Sequence, residues 1–143
     1  MKLTIGVMGS SGGHLSGEAM EKAYRLGTAV AEHDAILITG GCPGLPYESV
    51  RGAKSKGGFV GGRTGTLGEL AIAYDEGRLI GVLTGTGGIT TLVEEIIRVG
   101  AKDTGACVVY EDDPATLVER LIHVYRTSHV RKPSCFCDAH GGG

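Results

Sequence analysis

Leu3-Thr4-Ile5-Gly6-Val7-Met8-Gly9-Ser10-Ser11-Gly12-Gly13 decides the fold. An apolar run of strand length ends in a glycine-rich turn. From about Ser16 to His33 the apolar residues then recur at Ala19, Ala23, Leu26 and Val30, with spacings of 4, 3 and 4, which is one face of a helix. Strand, glycine loop and helix form the first arm of a βαβ unit.

The same alternation continues. Ala35 to Ile38 reads as a second strand, and Pro46 suits the first turn of a short helix with Tyr47, Val50 and Lys54 along one face. Gly58-Phe59-Val60 begins a third strand. Thr66 to Asp75 reads as a helix with Leu67, Leu70, Ala71 and Tyr74 inward. Leu79 to Leu83 is a strand. Thr91 to about Val99 is a helix with Leu92, Val93, Ile96 and Ile97 buried, and Ala106 to Tyr110 is the last strand. Asp113-Pro114 is an N-cap followed by proline at the first helical position, opening a helix with Leu117, Val118, Leu121, Ile122 and Tyr125 inward. The fold expected is a Rossmann-like three-layer α/β/α with a parallel sheet. Residues 1–130 would form one nucleotide-binding domain and 131–143 a C-terminal tail. One junction is abrupt: Gly61-Gly62 arrives when the third strand has barely begun. Either that strand is very short, or a strand plus crossover, a dozen or more residues, is absent between Val60 and Gly61.

Composition excludes several function classes. The chain has 143 residues, 14 Lys+Arg and 16 Asp+Glu, for a formal charge of −2. A nucleic-acid backbone binder carries a basic excess, so no nucleic-acid partner is expected. Five Tyr, two Phe and no Trp give little platform for stacking bases. No run of ~18 apolar residues is present, so no membrane is expected. The first residues lack a signal-peptide pattern, and the expected location is cytoplasmic. The 26 glycines are neither periodic nor gathered in one tract, so collagen and a disordered linker are both excluded. Cys135, Cys137 and His140 could supply zinc ligands or form a simple tail with free thiols; neither metal nor cofactor is expected.

Four glycine-rich turns follow predicted strands: Gly9-Ser10-Ser11-Gly12-Gly13, Thr39-Gly40-Gly41-Cys42-Pro43-Gly44, Gly61-Gly62-Arg63-Thr64-Gly65-Thr66 and Thr84-Gly85-Thr86-Gly87-Gly88. In a parallel sheet they gather at one rim, where open α/β sheets bind ligands. Glycine lets backbone N–H groups approach a ligand, and each following helix offers its positive end. The expected guest is an anion, the phosphate of a nucleotide. The candidate contacts are Gly9, Ser10, Ser11, Gly40, Gly41, Gly61, Gly62, Arg63, Thr64, Gly65 and Thr66. Arg63 either clamps the phosphate by its planar fork or is a solvated loop side chain. Glu69 sits three residues after Thr66, where it either completes a capping box or places a carboxylate beside the ligand to act on water. The P-loop pattern and the dinucleotide G-x-G-x-x-G are both missing, so a P-loop NTPase is excluded and an NAD dehydrogenase disfavoured.

The loop series resembles the LOG family, cytokinin riboside monophosphate phosphoribohydrolases once labelled "possible lysine decarboxylase". Gly61 to Glu69 is similar to that family's G-G-x-G-T-x-x-E motif, with one extra residue before Gly65. Thr39 to Gly44 resembles its T-G-G-G-x-x-G loop, Gly52-Ala53-Lys54 its G-A-K segment, and the first strand with Gly9-Ser10-Ser11 also matches. The resemblance implies that Glu69 is the catalytic carboxylate of an enzyme cleaving the N-glycosidic bond of a nucleoside 5′-monophosphate. It also implies assembly at least as a homodimer. The hydrolase branch carries an Arg-Lys pair after a Met ahead of this motif. Here Arg131-Lys132 stands only in the tail, and the pair's expected place is the junction at Val60–Gly61. A non-catalytic nucleotide or cofactor carrier, like the molybdenum-cofactor carriers of the same superfamily, is the alternative. No lysine is marked for a pyridoxal Schiff base, which disfavours a decarboxylase.

Overall fold

The computed structural model describes residues 2–61, 66–100 and 102–129, with only the backbone of Thr66 and Leu67. Strands β1 (Thr4–Val7), β2 (Ile36–Thr39) and β3 (Val60–Gly61) form one parallel ladder in that order. Strands β4 (Leu79–Leu83) and β5 (Cys107–Glu111) form a second. The register sets Thr4 against Ile36, Leu37 against Val60 and Leu79 against Cys107. The α/β alternation therefore appears as read, but as two ladders rather than one. β3 spans two residues, and among the described residues no strand pairs with the other edge of β1.

Helix α1 (Gly17–Glu32) packs on α2 (Leu45–Ser55), and α5 (Pro114–Thr127) lies beside α1 against β4 and β5. Their common core joins Val30, Leu37, Ala53, Val118 and Ile122. Helices α3 (Thr66–Asp75) and α4 (Val93–Gly100) cover the other face of the second ladder, where Leu70 and Val93 meet Ile80 and Val82. On the opposite face Leu83 and Val109 meet Leu117 and Leu121 of α5. The strand period of two thus gives the β4–β5 ladder two apolar faces, which suits a buried parallel sheet.

Ser16 caps α1 by accepting from the Ala19 N–H at 3.1 Å, and Asp113 caps α5 by accepting from the Thr116 N–H at 2.9 Å. Pro46 and Pro114 lie in the first turns of their helices, where a missing N–H costs nothing.

Several helix faces differ from the sequence reading. In α2 the buried side is Leu45, Pro46, Glu48, Ser49, Gly52 and Ala53, while Tyr47 is exposed. The reason is close approach. An added Cβ at Gly27 would stand 1.8 Å from the Ser49 carbonyl oxygen, and one at Gly52 would stand 1.9 Å from that of Tyr24. Small residues, not an apolar stripe, make this contact. Thr91 does not cap α4. It ends a 3₁₀ turn, Gly88–Thr91, and its hydroxyl donates back to the Gly88 carbonyl at 2.8 Å. The later start of α4 rotates its stripe, so Val93 is buried and Ile97 partly so, while Leu92 and Ile96 face out. Ala71 and Tyr125 are exposed as well. No helix of the described residues is long and apolar enough to cross a membrane.

Candidate functional site

Helix α1 follows β1 and runs back against it, so its first turns lie at the carboxyl end of that strand. From its second turn Lys22 sends Nζ to the carbonyl of Thr84, just after β4, at 3.3 Å. The carboxyl ends of both ladders therefore lie on the same edge. The loop after β1 also touches the loop after β2: the Leu45 N–H donates to the Ser10 carbonyl at 3.1 Å, and a Cβ at Gly44 would stand 2.6 Å from that oxygen. Gly44 has φ +88°, so it turns the chain where a side chain would both strain and clash. Gly9, Ser10, Ser11, Gly40 and Gly41 are thus gathered at one rim, with Thr84 to Gly88.

A cavity of about 200 Å³ opens at this rim, lined by Gly6, Val7, Met8, Ile38, Thr39 and Glu69. Glu69 reaches it from the first turn of α3, across from the ends of β1 and β2. Thr39 is 5% exposed, and its hydroxyl has no hydrogen-bond partner. Leaving a buried hydroxyl unpaired costs about 1–3 kcal/mol. Among the described residues it is the one buried side-chain polar atom in that condition. A carboxylate and Thr39, whose own hydroxyl is buried, thus meet at an otherwise apolar hollow. The volume is below the ~300 Å³ of a whole small-ligand pocket. A wider hollow of about 420 Å³ lies between α1 and α2, lined by Gly17, Met20, Glu21, Tyr24, Glu48 and Arg51.

Gly61 ends β3, but Gly62, Arg63, Thr64, Gly65 and the side chain of Thr66 lie outside the described residues, as do Cys135, Cys137 and His140. No group of three potential metal ligands occurs among the described residues. The Cys42 thiol donates to the Gly40 carbonyl at 3.7 Å, and Cys107 packs partly buried behind β4. At the neighbouring strand end, Glu111 is held below the usual carboxylate range, first by the Asp112 N–H and then by Arg120. Asp113 is lowered by the Thr116 donors and then by Arg25. Each is paired with an arginine, Glu111 with Arg120 at 3.0 Å and Asp113 with Arg25 at 2.6 Å, so their charges are compensated at the rim.

Sequence reasoning missed two residues. Thr39 carried a signal, as a polar residue closing the run Ile36-Leu37-Ile38. Lys22 carried none, because its partner lies 62 residues away.

Residues 2–62 match the model of the SLOG cluster4 family. An uncharacterised protein of Archaeoglobus fulgidus is 48% identical over 61 residues, 42% of this chain and 39% of that protein. The chain therefore matches well under half the length of that relative. Among solved structures, the molybdenum cofactor carrier protein of Chlamydomonas reinhardtii superposes with a TM-score of 0.66 at 23% identity, covering 86% of this chain and 99% of that one. A structural-genomics target gives 0.67 at 18% identity, with the same coverage. These likenesses show a Rossmann-like α/β fold, and the first-half match supports a relationship to the SLOG/LOG superfamily.

Proposed function

We propose that this chain binds a nucleoside 5′-monophosphate, or the nucleotide-like end of a cofactor, with its ring portion in the Thr39–Glu69 cavity and its phosphate on the glycine loops. The observation that carries the reading is the cavity at the strand ends, beside the glycine loops, into which Glu69 reaches. A ligand N–H or O–H would donate to the Glu69 carboxylate. Arg63, with Gly61, Gly62, Thr64, Gly65 and Thr66, remains part of the proposed phosphate grip.

The finer proposal is hydrolysis of the N-glycosidic bond. Water oxygen would bond to C1′ as the C1′–N bond breaks, and Glu69 would take the water proton, which passes to the departing base. The alternative is a carrier that holds the nucleotide without turnover. It is favoured by the likeness to the carrier fold and by the cavity lining, which among the described residues includes no cation beside Glu69. Assembly as a homodimer also remains a proposal, for light scattering to decide.

Titration of wild type and Glu69→Gln with adenosine 5′-monophosphate, combined with an assay for free adenine, tests both levels. Wild type should bind at submillimolar concentration. Glu69→Gln should bind but release no base. If wild type binds no monophosphate at millimolar concentration, the nucleotide reading fails. If wild type binds and releases no base, the carrier replaces the hydrolase.

A further inference from the structure

The cavity is too small for a whole nucleotide, which leaves the anionic end outside it on the rim. One cation stands there in an unusual position. Lys22 is 16% exposed, although it projects from a helix whose neighbouring Glu18 is 75% exposed. Its side chain is laid between α1 and the turn that follows β4. Of its three N–H donors, one reaches an acceptor among the described residues, the Thr84 carbonyl, at 3.3 Å. Glu18 Oε1 is 3.7 Å away, beyond hydrogen-bond reach, so it neutralises the charge without using a donor.

The turn is shaped around this ammonium group. Gly85 has φ +76°, and a Cβ placed there would stand 2.7 Å from Lys22 Nζ. Gly87 and Gly88 follow with φ +73° and +62°. Thr86 holds the turn from below by donating to the Leu83 carbonyl at 2.9 Å, and Thr90 donates to the Gly87 carbonyl at 2.8 Å. The threonine hydroxyls are spent on bracing the turn, so the charge available to a guest there is that of Lys22.

We infer that Lys22, with the Thr84–Gly88 turn, binds the phosphate of the nucleotide whose ring end enters the Thr39–Glu69 cavity. The inference rests on the nucleotide reading above and extends it to a residue and a loop outside the Gly61–Thr66 motif. On binding, the phosphate oxygens take the two remaining N–H donors of Lys22, and Glu18 becomes the group that opposes the incoming charge.

The test compares adenosine 5′-monophosphate with adenosine by calorimetry on wild type, Lys22→Met and Glu18→Gln. Methionine keeps the buried stem and removes the charge. The expected result is tenfold or greater loss of monophosphate affinity in Lys22→Met with adenosine affinity unchanged, a twofold to fivefold gain for the monophosphate in Glu18→Gln, and a weaker salt dependence in Lys22→Met. A merely structural lysine would lower both affinities together, and that outcome overturns the inference. So does unchanged monophosphate binding in Lys22→Met, which would leave the nucleotide reading standing. If wild type binds neither compound at millimolar concentration, the nucleotide reading falls and this inference falls with it.

Discussion

The β1–β2–β3 ladder and the β4–β5 ladder are both parallel, yet they are covered differently. β4 and β5 are packed on both faces: Ile80 and Val82 point to α3 and α4, and Leu83 and Val109 to α5. In β2, Leu37 is fully buried against α1 and α5, whereas Ile38, one residue on, is 40% exposed. Parallel ladders are ordinarily buried on both sides. The half that departs from this rule is the half carrying the cavity, with Ile38 and Gly6 in its wall. Stability and ligand access are thus divided between the ladders. One ladder is a closed core, and the other leaves part of a face open at the strand ends where Glu69 arrives.

The first ladder obtains its stability from its covered side, through the close approach of α1 and α2. Gly27→Ala and Gly52→Ala should break that approach, because each new Cβ would sit within 2 Å of a backbone oxygen, at 1.8 and 1.9 Å. Backbone cannot yield as a side-chain tip can. A loss of about 3 kcal/mol or more is expected for each, read by urea unfolding. A loss below about 1 kcal/mol would mean that the helices separate at little cost, and the contrast between the ladders would then rest on the sheet alone.

Truncations on the two ladders sharpen the comparison at smaller magnitude. Ile80→Ala, in the doubly covered ladder, should cost about 2–5 kcal/mol. Ile38→Ala, on the open face, should cost less than about 1.5 kcal/mol, since much of the side chain already meets water. Equal costs by chemical denaturation would show that the open face is covered in solution.

These contrasts explain which parts were legible in the sequence. The stripe Ala19, Ala23, Leu26, Val30 was readable because α1 buries an ordinary apolar face. The face of α2 was not, because Ser49 and Gly52 pack through their smallness, which a search for large apolar residues passes over. Leu92 and Ile96 read as buried because the pattern fixes a stripe but not the residue at which the helix starts. The 3₁₀ turn at Gly88–Thr91 moved that start. The glycine loops and Glu69 were legible because their chemistry is local to the chain. The cavity was half legible: its carboxylate stands in a motif, but the orphaned Thr39 hydroxyl is defined by what surrounds it in space.

The smallest expected effect concerns the ion pair that ties the two regions together. Arg25 of α1 meets Asp113, the cap of α5, at 2.6 Å, with both side chains well exposed. Asp113 therefore has two roles, and substitution separates them. Asparagine keeps the cap and removes the charge, whereas alanine removes both. The Asp113 carboxyl is lowered below its ordinary value, first by the Thr116 donors and then by Arg25. A carboxyl lowered on folding stabilises the protein fully above its unfolded value, and that contribution disappears as pH falls through the folded value. Asp113→Asn should therefore be slightly less stable than wild type at neutral pH, and the difference should vanish in acid. Asp113→Ala should remain less stable than Asp113→Asn at every pH, because the lost cap does not titrate. Thermal unfolding of the three proteins across the acid range decides it. A wild-type advantage over Asp113→Asn that persists once the carboxyl is protonated would show that the link between α1 and α5 is held by packing at this position rather than by charge.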